Sequence, residues 1–138
     1  MKKVILLSAI SAFLICCNNN KQKVTEKDNR IYLRTDTLNV VKLTDTLVIY
    51  ESVCRGCAYE GSTYFSINDS MGNIVLQEVI TKDNHSPDVA GGNISKILIL
   101  TASTIGKSSF KLYKFTNGLP TAKDSAIFTR YNVEVKNR

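Results

Sequence analysis

Two packed antiparallel β-sheets are the architecture that this sequence predicts, on three observations. Short runs rich in Val, Ile, Leu, Tyr and Phe follow one another from about Ile31 to Val135. The clearest of them, Phe110-Lys111-Leu112-Tyr113-Lys114-Phe115 and residues 127–135, alternate apolar with polar, the two-residue period of a half-buried strand. Beyond the N-terminal segment no amphipathic 3.6-residue period is visible. Seven strands separated by short turns bury one face each by packing sheet on sheet, which gives an immunoglobulin-like antiparallel β-sandwich; a small closed barrel is the competing arrangement.

The strands are expected in this order. Residues 38–43 form a β-rich run, and after Thr44-Asp45 a second run covers 46–51. Residues 62–68 and 74–81 flank Asp69-Ser70-Met71-Gly72-Asn73, whose Asp, Ser, Gly and Asn mark a hairpin loop. Residues 94–100 follow, Thr104-Ile105-Gly106-Lys107 turns the chain, and 110–115 and 127–135 close it. The length from 31 to 138 suits one domain.

The N-terminus has a different grammar. Lys2-Lys3 precede an apolar run of 12 residues, Val4 to Ile15, and then Cys16-Cys17. As helix that run spans roughly 18 Å, too short for the ~30 Å hydrocarbon core, so a retained transmembrane anchor is the weaker reading. A basic start, a short apolar middle and a small-residue boundary make an export signal. Ending on cysteine, it resembles the bacterial lipoprotein signal, which implies cleavage and acylation. Cys16 is small enough to precede the cut and Leu14 stands three before Cys17, so Cys17 is the expected lipidation site and residues 1–16 the signal. Membrane lipid, reached through acylated Cys17, is thus one expected partner, most naturally at an outer membrane facing the periplasm. Residues 17–30 hold one aliphatic side chain and no aromatic, and are expected to be a flexible tether.

Charge excludes little. The chain carries +6, and losing Lys2 and Lys3 with the signal leaves 16 basic residues against 12 acidic ones. No compact run of Lys and Arg interleaved with aromatics appears, so nucleic acid is not an expected partner.

Four cysteines divide evenly. With Cys16 removed and Cys17 acylated, Cys54 and Cys57 remain, a pair suited to a disulfide in an oxidising compartment. A thioredoxin-like redox site would need a βαβ context that this stretch lacks. A zinc site would need about four ligands, and His85 is the single histidine. The loop around His85 carries Asp83 and Asp88 but no dense acidic calcium pattern. No nucleophile motif accompanies that histidine. No enzyme activity, cofactor or metal is expected.

Order and spacing resemble the chagasin-like inhibitors of papain-type cysteine proteases. Asp45-Thr46-Leu47-Val48-Ile49 is similar to the family's opening strand. Val89-Ala90-Gly91-Gly92 and residues 94–102 are similar to its Gly-Gly loop and following strand. Residues 105–113 match the rhythm of a later strand, and 131–135 its last one. The resemblance implies a sandwich with three loops at one end that plug a protease cleft, here carrying Arg55, Gly56 and Tyr59; Gly91 and Gly92; and Phe115 and Asn117. The departures fall in those loops. The family's Asn-Pro-Thr-Thr-Gly-Tyr is replaced by residues 53–61, its Arg-Pro-Trp-Glu by Lys114-Phe115-Thr116-Asn117, and the chain has no tryptophan.

The function expected from these readings is that of a lipid-anchored envelope binding protein whose end loops inhibit or neutralise a protease or toxin, with a protein partner of unknown identity. The alternative is a structural or assembly lipoprotein that works through a sheet face or edge.

Overall fold

The computed structural model describes residues 30–116 and 121–137. The signal, Cys17 and all but the last residue of the expected tether lie outside the described residues, as does Asn117. Eight strands and one short helix follow in order: β1 (Arg30–Tyr32), β2 (Leu38–Lys42), β3 (Thr46–Cys54), β4 (Tyr64–Asp69), β5 (Ile74–Lys82), β6 (Asn93–Ala102), β7 (Gly106–Phe115), α1 (Ala122–Ser125) and β8 (Thr129–Lys136).

They form two four-stranded sheets, β1-β3-β6-β5 and β2-β8-β7-β4. That is the immunoglobulin-type strand distribution, with the first strand split so that β1 joins one sheet and β2 the other. Both of those short strands pair in parallel, β1 with β3 and β2 with β8, and the remaining pairs are antiparallel. The expected sandwich is therefore present with eight strands rather than seven. Arg30, placed at the end of the tether, lies opposite Thr46 in β1. Gly106 and Lys107, read as part of a turn, already belong to β7. Ile127 and Phe128, read as strand, precede β8; the helix α1 stands before them, started by a capping box between Thr121 and Asp124.

Alternation decides which side chains meet between the sheets. Leu47, Ile49, Val53, Leu98 and Leu100 face Val41, Phe65, Phe110, Leu112 and Val133 in one continuous buried cluster. Phe110 stacks on Tyr131, with ring centroids 5.3 Å apart. One buried polar group links the split first strand to the last. Asn39 accepts from Arg34 N–H at 2.9 Å and donates to the carbonyls of Arg34 and Asn132, both at 2.9 Å. Its amide is satisfied, so its burial costs little.

The two ends of the sandwich differ. At one end the connections 43–45, 70–73 and 103–105 are tight. Asp69 holds the middle one, accepting from the backbone N–H groups of Met71, Asn73 and Ile74. At the other end lie the longer connections 55–63 and 83–92, with Thr116 at the start of the path from β7 to β8.

Candidate protein-binding loop end

Register places the three long loops side by side. Cys54, the last residue of β3, pairs with Asn93, the first of β6, and Tyr64 at the start of β4 pairs with Phe115 at the end of β7. The β3–β6 ladder continues one step into the loops, where Arg55 N–H donates to Gly92 O at 3.0 Å. Ser62 Oγ donates to Thr116 O at 2.9 Å and links the first loop to the third.

Within the first loop, Cys54 and Cys57 form a disulfide with their Cα atoms 5.6 Å apart. Gly56 follows the turn with a φ of +74°, a conformation that costs other residues. Its N–H donates to the Glu60 carboxylate, and the Tyr59 carbonyl accepts from Thr63 N–H and Thr63 Oγ1. The nine-residue connection is thus closed by its own bonds. Tyr59 remains exposed at its tip.

Arg55 does not project from the surface as a free contact. Its Nε donates to Asp83 Oδ2 at 2.7 Å and its guanidinium reaches the Val89 carbonyl, so it ties the first loop to the second. Asp83 also accepts from His85 N–H at 2.9 Å, and its Oδ1 lies 2.8 Å from His85 Nδ1. The His85 backbone bond, then Arg55, then the His85 ring hold the Asp83 carboxyl down at about 2. A cleft of about 550 Å³ opens between the two loops, with Arg55, Glu60, Asp83 and Asp88 among its walls.

Gly91 and Gly92 both have positive φ, +78° and +85°. A Cβ on Gly91 would meet nothing within 4 Å, whereas one on Gly92 would stand 3.0 Å from His85 Nε2. Gly91 is therefore the open tip and Gly92 the packed base.

Phe115, expected among the contact residues of the third loop, is a correction. It ends β7 and is buried, its ring between Tyr64 at 4.8 Å and Tyr113 at 5.8 Å. It anchors the root of the loop instead of presenting a contact. Beneath the loops, Lys114 crosses between the sheets: its Nζ lies 3.5 Å from Glu51 Oε2 and donates to the Ser52 carbonyl. Sequence reasoning missed these bridges. Arg55 and Asp83 stand 28 residues apart and Glu51 and Lys114 63 apart, and no local pattern marks either pair.

Among the described residues no three His, Cys, Asp or Glu side chains gather as metal ligands would. No protein-family model matches the chain, and no curated protein matches it either. Solved structures do resemble it. The cysteine protease inhibitor EhICP2 from Entamoeba histolytica superposes with a TM-score of 0.54 at 14% identity, over 78% of this chain and 96% of that one. Amebosin superposes with a TM-score of 0.50 at 16% identity over the same shares. At such identities the likeness establishes a shared β-sandwich fold and nothing finer.

Proposed function

We propose that the long-loop end is a protein-binding wedge that inhibits a cysteine protease or a similarly clefted partner. The observation that carries this reading is the cross-bracing of the loops. Arg55 joins the first to the second, Ser62 joins the first to the third, and the disulfide closes the first on itself. Loops held before contact lose less entropy on binding. Gly91, exposed and without a Cβ, lets backbone approach a cleft wall closely. The inhibitor named among the structural neighbours supports the same reading. The inhibitory aromatic and Arg-Pro-Trp-Glu residues of the chagasin-like family are replaced here, so the fit is to a particular protease and generic papain is held weakly.

The test is a progress-curve titration of papain-type proteases with the wild-type chain and with Gly91→Glu. Slowing by the wild type that is lost in Gly91→Glu supports the wedge. Equal inhibition by both, or none of any protease tried, removes it.

For location, we propose that Cys17 is acylated and holds the domain at the outer membrane. Support comes from the sequence alone. Mass spectrometry of the membrane fraction should give a mature chain beginning at acyl-Cys17, and Cys17→Ser should leave uncleaved precursor. An unmodified N-terminus downstream of Cys17 in the soluble fraction would overturn it.

A second reading has one observation in its favour. Tyr32 and Tyr50 stack at 5.5 Å on the outer face of the β1-β3-β6-β5 sheet and are about half exposed. A structural or assembly lipoprotein would use such a face. Tyr50→Ser that leaves partner capture intact, beside Gly91→Glu that abolishes it, favours the loops.

A further inference from the structure

On the outer face of the β2-β8-β7-β4 sheet two cations are set directly opposite one another. Lys111 pairs with Arg130 across the β7–β8 ladder, and Asn68 pairs with Lys111 across β4–β7, so the three stand in one row. Like charges in register oppose pairing and are normally avoided. Neither cation forms an ion pair with a carboxylate among the described residues. The nearby acids are committed elsewhere: Asp69 accepts from Ser108 Oγ at 2.6 Å and from three backbone N–H groups, and Glu134 pairs with Lys136 at 3.6 Å. What both cations share is the ring of Phe128, with Lys111 Nζ 4.3 Å and Arg130 Cζ 5.9 Å from its centroid. Cation–π attraction holds the heads over the sheet but leaves their charge uncompensated.

The surroundings supply neutral groups able to donate. Asn68, Ser70 and Ser109 line a cleft of about 290 Å³ together with Lys111 and Arg130. Tyr113 lies 5.8 Å from Phe128, so a second aromatic ring adjoins the one that the two cations share. A local arrangement that breaks a pairing rule without an internal partner marks a place where something outside completes it. Two positive heads beside hydroxyls and an amide match an anion with two charges and several acceptor oxygens, and the planar guanidinium favours a bidentate oxyanion.

We propose that Lys111, Arg130, Ser109 and Asn68 form an oxyanion site that takes a phosphate monoester, with Phe128 and Tyr113 covering the apolar body that carries it. The site lies on the sheet face and stands independently of the loop-end reading. Phosphate is the shared chemistry of two sources, a soluble ester and a lipid headgroup. The cleft is open to solvent, which screens charge, so affinity for a bare ion is weak, about millimolar.

The test uses the full chain in a non-ionic detergent, followed by amide chemical shifts at constant ionic strength. Inorganic phosphate should give saturable shifts at Asn68, Ser109, Lys111 and Arg130. Lys111→Gln and Arg130→Gln should each weaken binding at least about fivefold and the double variant should abolish it, while Lys82→Gln on the other sheet should change nothing. Phenyl phosphate should bind several-fold more tightly than phosphate, a gain that Phe128→Ala removes. Vesicles containing phosphatidic acid then separate the sources: retention of the chain through Lys111 and Arg130 assigns the lipid headgroup, and binding of the soluble ester alone assigns a free ligand. Shifts that do not saturate, that chloride reproduces, or that persist in the double variant overturn the site.

Discussion

Arg55 Nε and Asp83 Oδ2 meet at 2.7 Å between two loops that the sequence separates by 28 residues. Both groups are partly exposed, so the pair positions the loops more than it stabilises the domain. Its pH dependence follows from Asp83, whose carboxyl is held at about 2 against an ordinary 3.8. A folded value below the unfolded one means that the contribution is present above about pH 4 and lost as the pH falls toward 2. Asp83→Asn should therefore be less stable than wild type at pH 7, with the difference closing between pH 4 and pH 2 in denaturant titrations. A gap unchanged at pH 2 would contradict this.

Reduction of Cys54–Cys57 should loosen the first loop without unfolding the sheets. Only three residues of sequence separation are closed, so the chain-entropy contribution is about 2 kcal/mol. Denaturation midpoints with and without dithiothreitol measure it, and the far-ultraviolet sheet signal should persist in the reduced protein.

The paired glycines should behave unequally. Alanine at either pays for a left-handed backbone, on the order of 1–2 kcal/mol. At Gly92 it must also displace His85, whose Nε2 would lie 3.0 Å from the new methyl group. Gly92→Ala should cost more stability than Gly91→Ala and should shift the His85 ring resonances. Equal costs would show that the histidine yields freely.

Tyr131 should shape the alkaline limb of stability. Burial, and then the nearby Glu51 charge, push its hydroxyl up to about 12 from an ordinary 10.0. The unfolded chain releases that proton first, so stability is complete below pH 10 and falls between pH 10 and 12. Tyr131→Phe should flatten that decline. If the variant and wild type lose stability in parallel there, another group is responsible.

Much of the sandwich was legible because alternation is a local signal. Residues 110–115 show the two-residue period of β7 directly, and Asp69 to Asn73 carry the turn chemistry that the Asp69 carboxylate caps, although the turn is not the expected hairpin: it crosses from β4 in one sheet to β5 in the other. What escaped was either too short or too distant. The three residues of β1 have no period of their own and are strand because β3 offers an edge. Phe115, the end of the expected strand, was given a contact role by the family resemblance, and its burial against Tyr64 depends on a neighbour 51 positions away. The basic row was hidden for the same reason, since Lys111 and Arg130 enter one surface only through the β7–β8 register. Residue types can be read along the chain, but their adjacency is a property of pairing.

The parallel pairing of β1 with β3 has a mechanical consequence. Arg30 sits beside Thr46, so the chain enters the domain at the tight-turn end, while β3 runs on to Cys54 at the long-loop end, about 30 Å away. A pull between the segment preceding Arg30 and anything gripping the loops draws β1 and β3 along their length in opposite directions. Their hydrogen bonds are then loaded together in shear rather than unzipped one at a time. Traction applied between those two points is thus borne first by a three-residue strand, reinforced by Leu33 N–H donating to Val48 O at 2.9 Å.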